Sequence, residues 1–150
     1  MAALLRDVLR ELNELRGDEP ALRSSRNANI EALTYLRDAT EALLQQAGEN
    51  PARAYAVSVP YLQLAGRVLG GALLARSAAI ATQRLAAATS ERAASDVANP
   101  SAATASRDFY RAKLQSARFY AEHLLPEALS LLRIVKGGGA SVADAAPGLI

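Results

Sequence analysis

The stretch VSVPYLQLAGRVLGGALLARSAAIATQRLAAAT, residues 57–89, decides the fold of this 150-residue chain. Along it, small and apolar residues recur at alternating steps of four and three. They are Val57, Tyr61, Leu64, Val68, Gly71, Ala75, Ala78, Thr82, Leu85 and Thr89. This spacing places them on one stripe of a helix, which makes it a sustained heptad seam. It predicts a long helix from about 52 to 95.

Proline and glycine interrupt this helix in informative places. Pro60 removes a backbone donor and is expected to cause a kink or a new helix start. Gly66, Gly70 and Gly71 lie in mid-helix, where each glycine costs about 1 kcal/mol relative to alanine. We expect a neighbouring helix to approach closely there, because such an approach compensates for the cost.

Three further segments show helical periodicity and bring the predicted number of helices to four. They are expected at about 2–16, 21–47 and 106–136. Gly17 and Gly48 follow the first two as stop signals. Pro126 is expected to kink the last helix, and Gly137 to end it.

The connections between these segments are mostly short, which indicates an all-α fold, an antiparallel four-helix bundle. Its domain is predicted to cover 1–139. The segment from 95 to 106, which contains Asn99 and Pro100, is the longest candidate loop. The remainder, 140–150, is expected to be a flexible tail.

Composition narrows the function classes. The absence of cysteine excludes disulfide frameworks and thiolate sites, and a cytoplasmic location is expected. Seventeen basic and fifteen acidic residues are mixed along the chain and give a net charge of +2, so no nucleic-acid partner is predicted. The longest uncharged apolar stretch runs from 54 to 66, and Arg67 and Arg76 bring charge into the apolar residues beyond it. Since a membrane span needs about 20 apolar residues, no membrane insertion is expected.

A search for catalytic chemistry assigns no residue. His123 is the single histidine, and the chain has no Glu-x-x-His pair, which argues against a di-metal site. There is no P-loop and no GxGxxG after a predicted strand. We therefore predict no catalytic, cofactor-binding or metal residue in this chain, and interpret His123 as a surface or inter-helix hydrogen-bonding residue.

Aromatic residues cluster on the last predicted helix. Phe109, Tyr110, Phe119 and Tyr120 alternate there with basic side chains. One interpretation is a face that binds an acidic ligand or another domain; packing at the core and rim is the favoured one. The candidate interface or packing residues are Tyr61, Gly66, Gly70, Gly71, Arg76, Phe109, Lys113, Arg118, Phe119 and His123.

Two segments resemble a known family. YLQLAGRVLGGALLAR at 61–76 and FYRAKLQSARFYAEHLLP at 109–126 resemble the C-terminal helical, acetyl-CoA dehydrogenase-like domain of FAD-dependent acyl-CoA dehydrogenases. The 3-methylmercaptopropionyl-CoA dehydrogenases belong to that group. The chain departs from the pattern at Ala65, where phenylalanine is common, and at Ala72, where tryptophan is frequent. Aromatic contacts made by those rings are therefore lost or moved.

The resemblance implies a parent enzyme that uses FAD to oxidise an acyl-CoA thioester. In such enzymes the glutamate base and the flavin-binding domains lie upstream, and none of them maps onto this chain. The chain is then expected to be a non-catalytic piece that supports packing or oligomerisation. Its partner is the catalytic body or a second copy, met through a spare apolar face near Tyr61, Phe109 and Phe119. The alternative is a free-standing helical interaction or scaffold protein.

Overall fold

The computed structural model describes residues 1–15, 17, 19–94 and 100–143, and the side chains of these except at 90–94 and 100–103. The described chain is entirely helix and connection, so the all-α prediction is confirmed. The described residues form seven helices where the sequence predicted four. These are α1 (Ala2–Glu14), α2 (Pro20–Glu49), α3 (Pro51–Ala56), α4 (Ser58–Ala94), α5 (Pro100–His123), α6 (Glu127–Gly137) and α7 (Gly139–Ala143).

The helix predicted at 52–95 is divided near its proline. α3 ends at Ala56, and Val57 leaves the helical region with φ −106° and ψ 8°. α4 begins at Ser58, so that Pro60 lies in its first turn, where a missing backbone donor costs nothing. The Asn50 side chain caps α3 by accepting a hydrogen bond from the Ala52 amide at 3.0 Å.

The helix predicted at 106–136 is divided in the same way. α5 ends at His123 and α6 begins at Glu127, with Pro126 as its N-cap. The proline ring would clash with the carbonyl four residues earlier, so the helix cannot continue through it. The Leu125 amide instead donates to the Tyr120 carbonyl at 3.0 Å, which closes a wider turn.

Two predicted irregular segments are partly helical. Part of the loop expected at 95–106 belongs to α5, because Pro100 begins that helix and proline suits a first helical position; 95–99 lie outside the described residues. The tail expected from 140 begins as α7, and Gly139 explains why. A Cβ there would lie 2.6 Å from the Arg53 carbonyl oxygen, so α7 packs directly on α3. The rest of the tail, 144–150, is outside the described residues.

The core lies where α2, α4, α5 and α6 meet. Leu36, Leu64, Ala75 and Val135 are fully buried there. Near the start of α2, Leu22 packs with Ala78 and Ala117 in a smaller cluster. Further along α2, the Thr40 hydroxyl lies 3.0 Å from that of Tyr61. Contact positions therefore rise along α2 as they fall along α4, and these two helices run in opposite directions.

One described helix is long and apolar enough to cross a membrane by length and composition. It is the 58–89 part of α4. Within its most apolar window, 39% is buried inside the protein. A core helix of a soluble protein passes the same test, so the finding is weak evidence for a span. The expectation of no membrane insertion stays a prediction. The finding matters because it shows that α4 is apolar on more than its buried face.

Candidate interaction surfaces

Two of the three mid-helix glycines in α4 lie against other helices. A Cβ on Gly71 would overlap the Asn29 Oδ1 atom and lie 3.0 Å from the Leu125 Cδ2 atom. A Cβ on Gly70 would lie 3.2 Å from the Tyr120 hydroxyl. Gly66 differs, because no described atom lies within 4 Å of where its Cβ would stand. Gly70 and Gly71 therefore serve packing within the chain, and Gly66 faces outward.

Two tyrosine hydroxyls tie α4 to its neighbours. Tyr61 is half-buried and pairs with Thr40, so it is a packing residue rather than part of a spare face. The Tyr120 hydroxyl donates to the Arg67 carbonyl at 3.0 Å. Burial raises the pKa of Tyr120, because the charged phenolate is disfavoured away from water.

The aromatic residues of α5 divide into packed and exposed members. Phe109 and Phe119 are each 56% exposed. The Lys113 ammonium lies 5.1 Å from the Phe109 ring centroid, which is a cation–π contact. The Phe119 ring lies 4.7 Å from the ring of His123. The two exposed phenylalanines therefore belong to two separate contacts on α5, which together we call the aromatic group.

The basic side chains beside this group have partners of their own. The Arg118 guanidinium donates to the Glu122 carboxylate at 2.7 Å, and this hydrogen bond raises the pKa of Arg118. Lys113 lies on the Phe109 ring. Glu122 therefore balances the charge of Arg118, whereas Lys113 keeps its positive charge on the face of an aromatic ring.

The outer side of α4 carries an apolar stripe that the sequence analysis missed. We define the outer stripe as Leu62, Gly66, Leu69, Leu73, Arg76 and Ile80. Leu62 and Leu73 are each 67% exposed and Ile80 is 50% exposed. The steps again alternate between four and three, so α4 has a second heptad seam opposite the buried one. The spacing of this second seam is visible in the sequence, but the inner seam alone is enough to predict the helix, so the second one was overlooked.

Helix α1 lies along one flank of the outer stripe. A groove between the two helices is lined by Leu4 and Val8 from α1 and by Leu69 and Leu73 from α4. At its rim the Arg76 guanidinium lies 3.8 Å from the Glu11 carboxylate. The ion pair leaves the predicted interface residue Arg76 at the edge of an apolar groove with its charge balanced.

The described residues contain no cluster of metal ligands, and open grooves lie beside α1. Among the described residues, no three His, Asp or Glu side chains are close enough together to hold a metal ion. The grooves on the two sides of α1 measure about 200 and 400 Å³ and are open. The larger volume falls within the about 300–1,000 Å³ of pockets that take a drug-sized ligand, and a dinucleotide such as FAD is larger than such a ligand.

Fold and surface together define a class: an all-α domain that exposes apolar and aromatic side chains. A family model described as "Acetyl-CoA dehydrogenase C-terminal like" matches residues 2–146, nearly the whole chain. The chain belongs to this family of C-terminal domains of acyl-CoA dehydrogenases. No match to the chain was found among curated proteins.

Proposed function

We propose that the chain is the non-catalytic packing domain of an FAD-dependent acyl-CoA dehydrogenase, and that it holds the catalytic body or an oligomer together. The exposure of the outer stripe carries this proposal. A helix that is apolar all round is normally covered on all sides. Here α4 is covered on its inner side and along one flank, while Leu62 and Leu73 face solvent.

The proposal divides the work of the enzyme. FAD, bound elsewhere in the enzyme, would supply the group that accepts a hydride from the acyl-CoA. The residues described here contribute apolar surface and helix rigidity rather than a base, an oxyanion donor or a phosphate site. Acyl-CoA dehydrogenases of this family are FAD-dependent in general. The segment at 109–126 supports a parent of the 3-methylmercaptopropionyl-CoA group, and the absence of cysteine fits a cytoplasmic location.

We also propose that the seven helices act as an antiparallel bundle of four rods. In this arrangement α3 with α4, and α5 with α6, are each one rod bent near a proline. The opposite directions of α2 and α4 support it. So does the hydrogen bond from the Gln46 amide to the Val135 carbonyl at 2.9 Å, which holds the ends of α2 and α6 together.

The test of the packing role uses the acyl-CoA dehydrogenases of the source organism. Each FAD-loaded body is purified without this domain, and its complex with the 150-residue chain is measured by analytical ultracentrifugation. We expect one body to bind the chain and Leu73→Glu in the outer stripe to abolish the complex. Leu44→Glu is the matched control, because Leu44 is also 67% exposed but lies on α2. Failure of every body to bind would contradict the proposal.

A second measurement tests the non-catalytic part. A ligand at 100 times its Kd stabilises a protein by about 2.7 kcal/mol. For a domain of this size that raises Tm by about 5–10 °C. We expect neither FAD nor an acyl-CoA to change the Tm of the chain. A shift of that size with either ligand would show a binding site of the chain's own.

A further inference from the structure

The positions of the outer stripe are spaced symmetrically about residue 71. Leu69 and Leu73 lie two positions on either side of residue 71. Gly66 and Arg76 lie five positions away, and Leu62 and Ile80 nine. When two identical helices pair in opposite directions, positions at equal distances from the twofold axis face each other. An isologous interface of this kind requires a self-complementary surface.

From this register we infer that α4 pairs antiparallel with α4 of a second copy of the chain, about a twofold axis near Gly71. The inference rests on the proposed packing role and names its partner. Leu69 then faces Leu73 of the other copy, and Leu62 faces Ile80. In an antiparallel coiled coil the two kinds of seam position pair with each other, and alternating steps of four and three produce that match.

The remaining pair fits by size. Gly66 leaves open space on the outer side of α4, with no described atom within 4 Å of a Cβ there. Arg76, the only long polar side chain in the stripe, takes the position opposite that space. Its aliphatic stem can cover the glycine while the guanidinium stays at the rim, as arginine commonly does. A large residue thus meets a gap twice in each dimer.

Charge on this face also suits a second copy. Arg76 is paired with Glu11, and the Arg67 guanidinium lies 2.7 Å from the Glu127 carboxylate. With both arginines balanced inside their own chain, two identical faces meet without net repulsion. The same balance removes the attraction that a strongly acidic or basic partner would need.

The area available sets the expected affinity. The stripe from Leu62 to Ile80 is about 27 Å long at 1.5 Å per residue, and α1 adds about 20 Å of flank. With helix widths of about 10–12 Å, two copies bury about 1,000 Å² in total. This is near the lower limit for a specific interface. We therefore expect a dimer with a Kd in the micromolar range rather than an obligate one.

Sedimentation equilibrium of the 150-residue chain over a concentration series tests the dimer. We expect a monomer–dimer equilibrium, and at least a 100-fold weaker association for Leu73→Glu, which places a carboxylate near the axis. Leu44→Glu should leave the association unchanged. Circular dichroism of each variant checks that the fold is kept. A wild-type chain that stays monomeric up to millimolar concentration would overturn the inference, while binding to a dehydrogenase body would still support the packing role.

Cross-linking tests the register, because the chain has no cysteine of its own. We expect Leu62→Cys and Ile80→Cys to form a disulfide when the two variants are mixed. Neither should link to itself, since antiparallel pairing separates two copies of position 62 by about 27 Å. Self-linked Leu62→Cys would show parallel pairing and refute the inference. Flotation with phosphatidylglycerol–phosphatidylcholine vesicles, if lost in Leu73→Glu, would identify a membrane as the occupant instead.

Discussion

Replacing Gly71 by alanine tests the close approach of three helices. Gly71 is buried where α4 meets α2 and the turn after α5. A Cβ at this position would overlap Asn29 Oδ1 and lie 3.0 Å from Leu125 Cδ2. Both neighbours are themselves buried, at 1% and 3% exposure, so neither can swing into solvent. The added methyl must therefore push helices apart or force a side chain from its rotamer.

The expected cost is the balance of two opposing effects. Overpacking of a filled core costs about 1–3 kcal/mol. Alanine returns about 1 kcal/mol through its better helix propensity. Because the overlapped Asn29 atom is buried, the cost is expected in the upper part of that range, about 2–3 kcal/mol. A net loss of about 1–2 kcal/mol then remains, which for 150 residues corresponds to a fall in Tm of about 2–8 °C.

Urea and thermal unfolding followed by circular dichroism measure this loss, at concentrations where the chain is monomeric. Gly66→Ala is the matched control, since it lies in the same helix with open space beside it. It should gain up to about 1 kcal/mol. The double variant Asn29→Ala with Gly71→Ala should lose less unfolding free energy than the two single variants lose together, because the amide that Gly71→Ala would overlap is gone. If Gly71→Ala is as stable as the wild type, the close approach described here is wrong.

Three further predictions concern the tyrosine contact, an ion pair and the aromatic group. Tyr120→Phe should lose about 0.5–1.5 kcal/mol of unfolding free energy at neutral pH, because the hydroxyl no longer donates to the Arg67 carbonyl. Because the pKa of Tyr120 is raised in the folded state, the unfolded state loses the phenol proton at a lower pH than the folded state does. The wild-type free energy of unfolding should therefore fall as pH rises above about 10, and its difference from that of Tyr120→Phe should narrow. Urea titrations at pH 8 and pH 10.5 measure both. Glu127→Gln, which removes the ion pair with Arg67, should lower the free energy of unfolding by no more than about 1 kcal/mol, because the Glu127 side chain is 53% exposed. The loss should be smaller at 1 M salt. A larger or salt-independent loss in urea titrations would contradict this. Phe109→Ala and Phe119→Ala should each change stability by less than about 0.5 kcal/mol in the same assay, and a loss above 2 kcal/mol in either would place that ring in the core.

Periodicity predicted the long helices well, and tertiary contacts decided what it could not. The inner seam of α4 and the effects of Pro60 and Pro126 follow from local rules, because heptad spacing and the missing proline donor act within a few residues. The start of α5 at Pro100 was missed, since proline and asparagine indicate a loop as readily as a helix start. The alanines among the next residues, Ser-Ala-Ala-Thr-Ala-Ser, are good helix formers and could have indicated it.

The exposed stripe was missed for a different reason. In an alanine-rich helix both seams are apolar, and a single sequence does not show which seam the chain itself covers. Gly66, Gly70 and Gly71 looked alike for the same reason. Only the fold separates Gly71, pressed against Asn29, from Gly66, which faces open space. Only the fold likewise shows that Arg118 on α5 pairs with Glu122, so that its charge is balanced within the chain.

The two seams of α4 differ in residue size, and this difference bears on stability. Between Gly71 and Ala78 the inner seam is built from glycine and alanine, which allow close helix packing but bury little apolar area. The larger residues Leu73 and Ile80 point outward, where burial of each would contribute about 1.5–3 kcal/mol. A partner that covers the outer stripe binds the folded chain alone and therefore stabilises it by mass action. The Tm should thus rise with protein concentration or with an added body, and Leu73→Glu should remove that rise while leaving the Tm of the dilute chain nearly unchanged. If the Tm of the wild type does not depend on protein concentration, self-association through the outer stripe does not stabilise this domain.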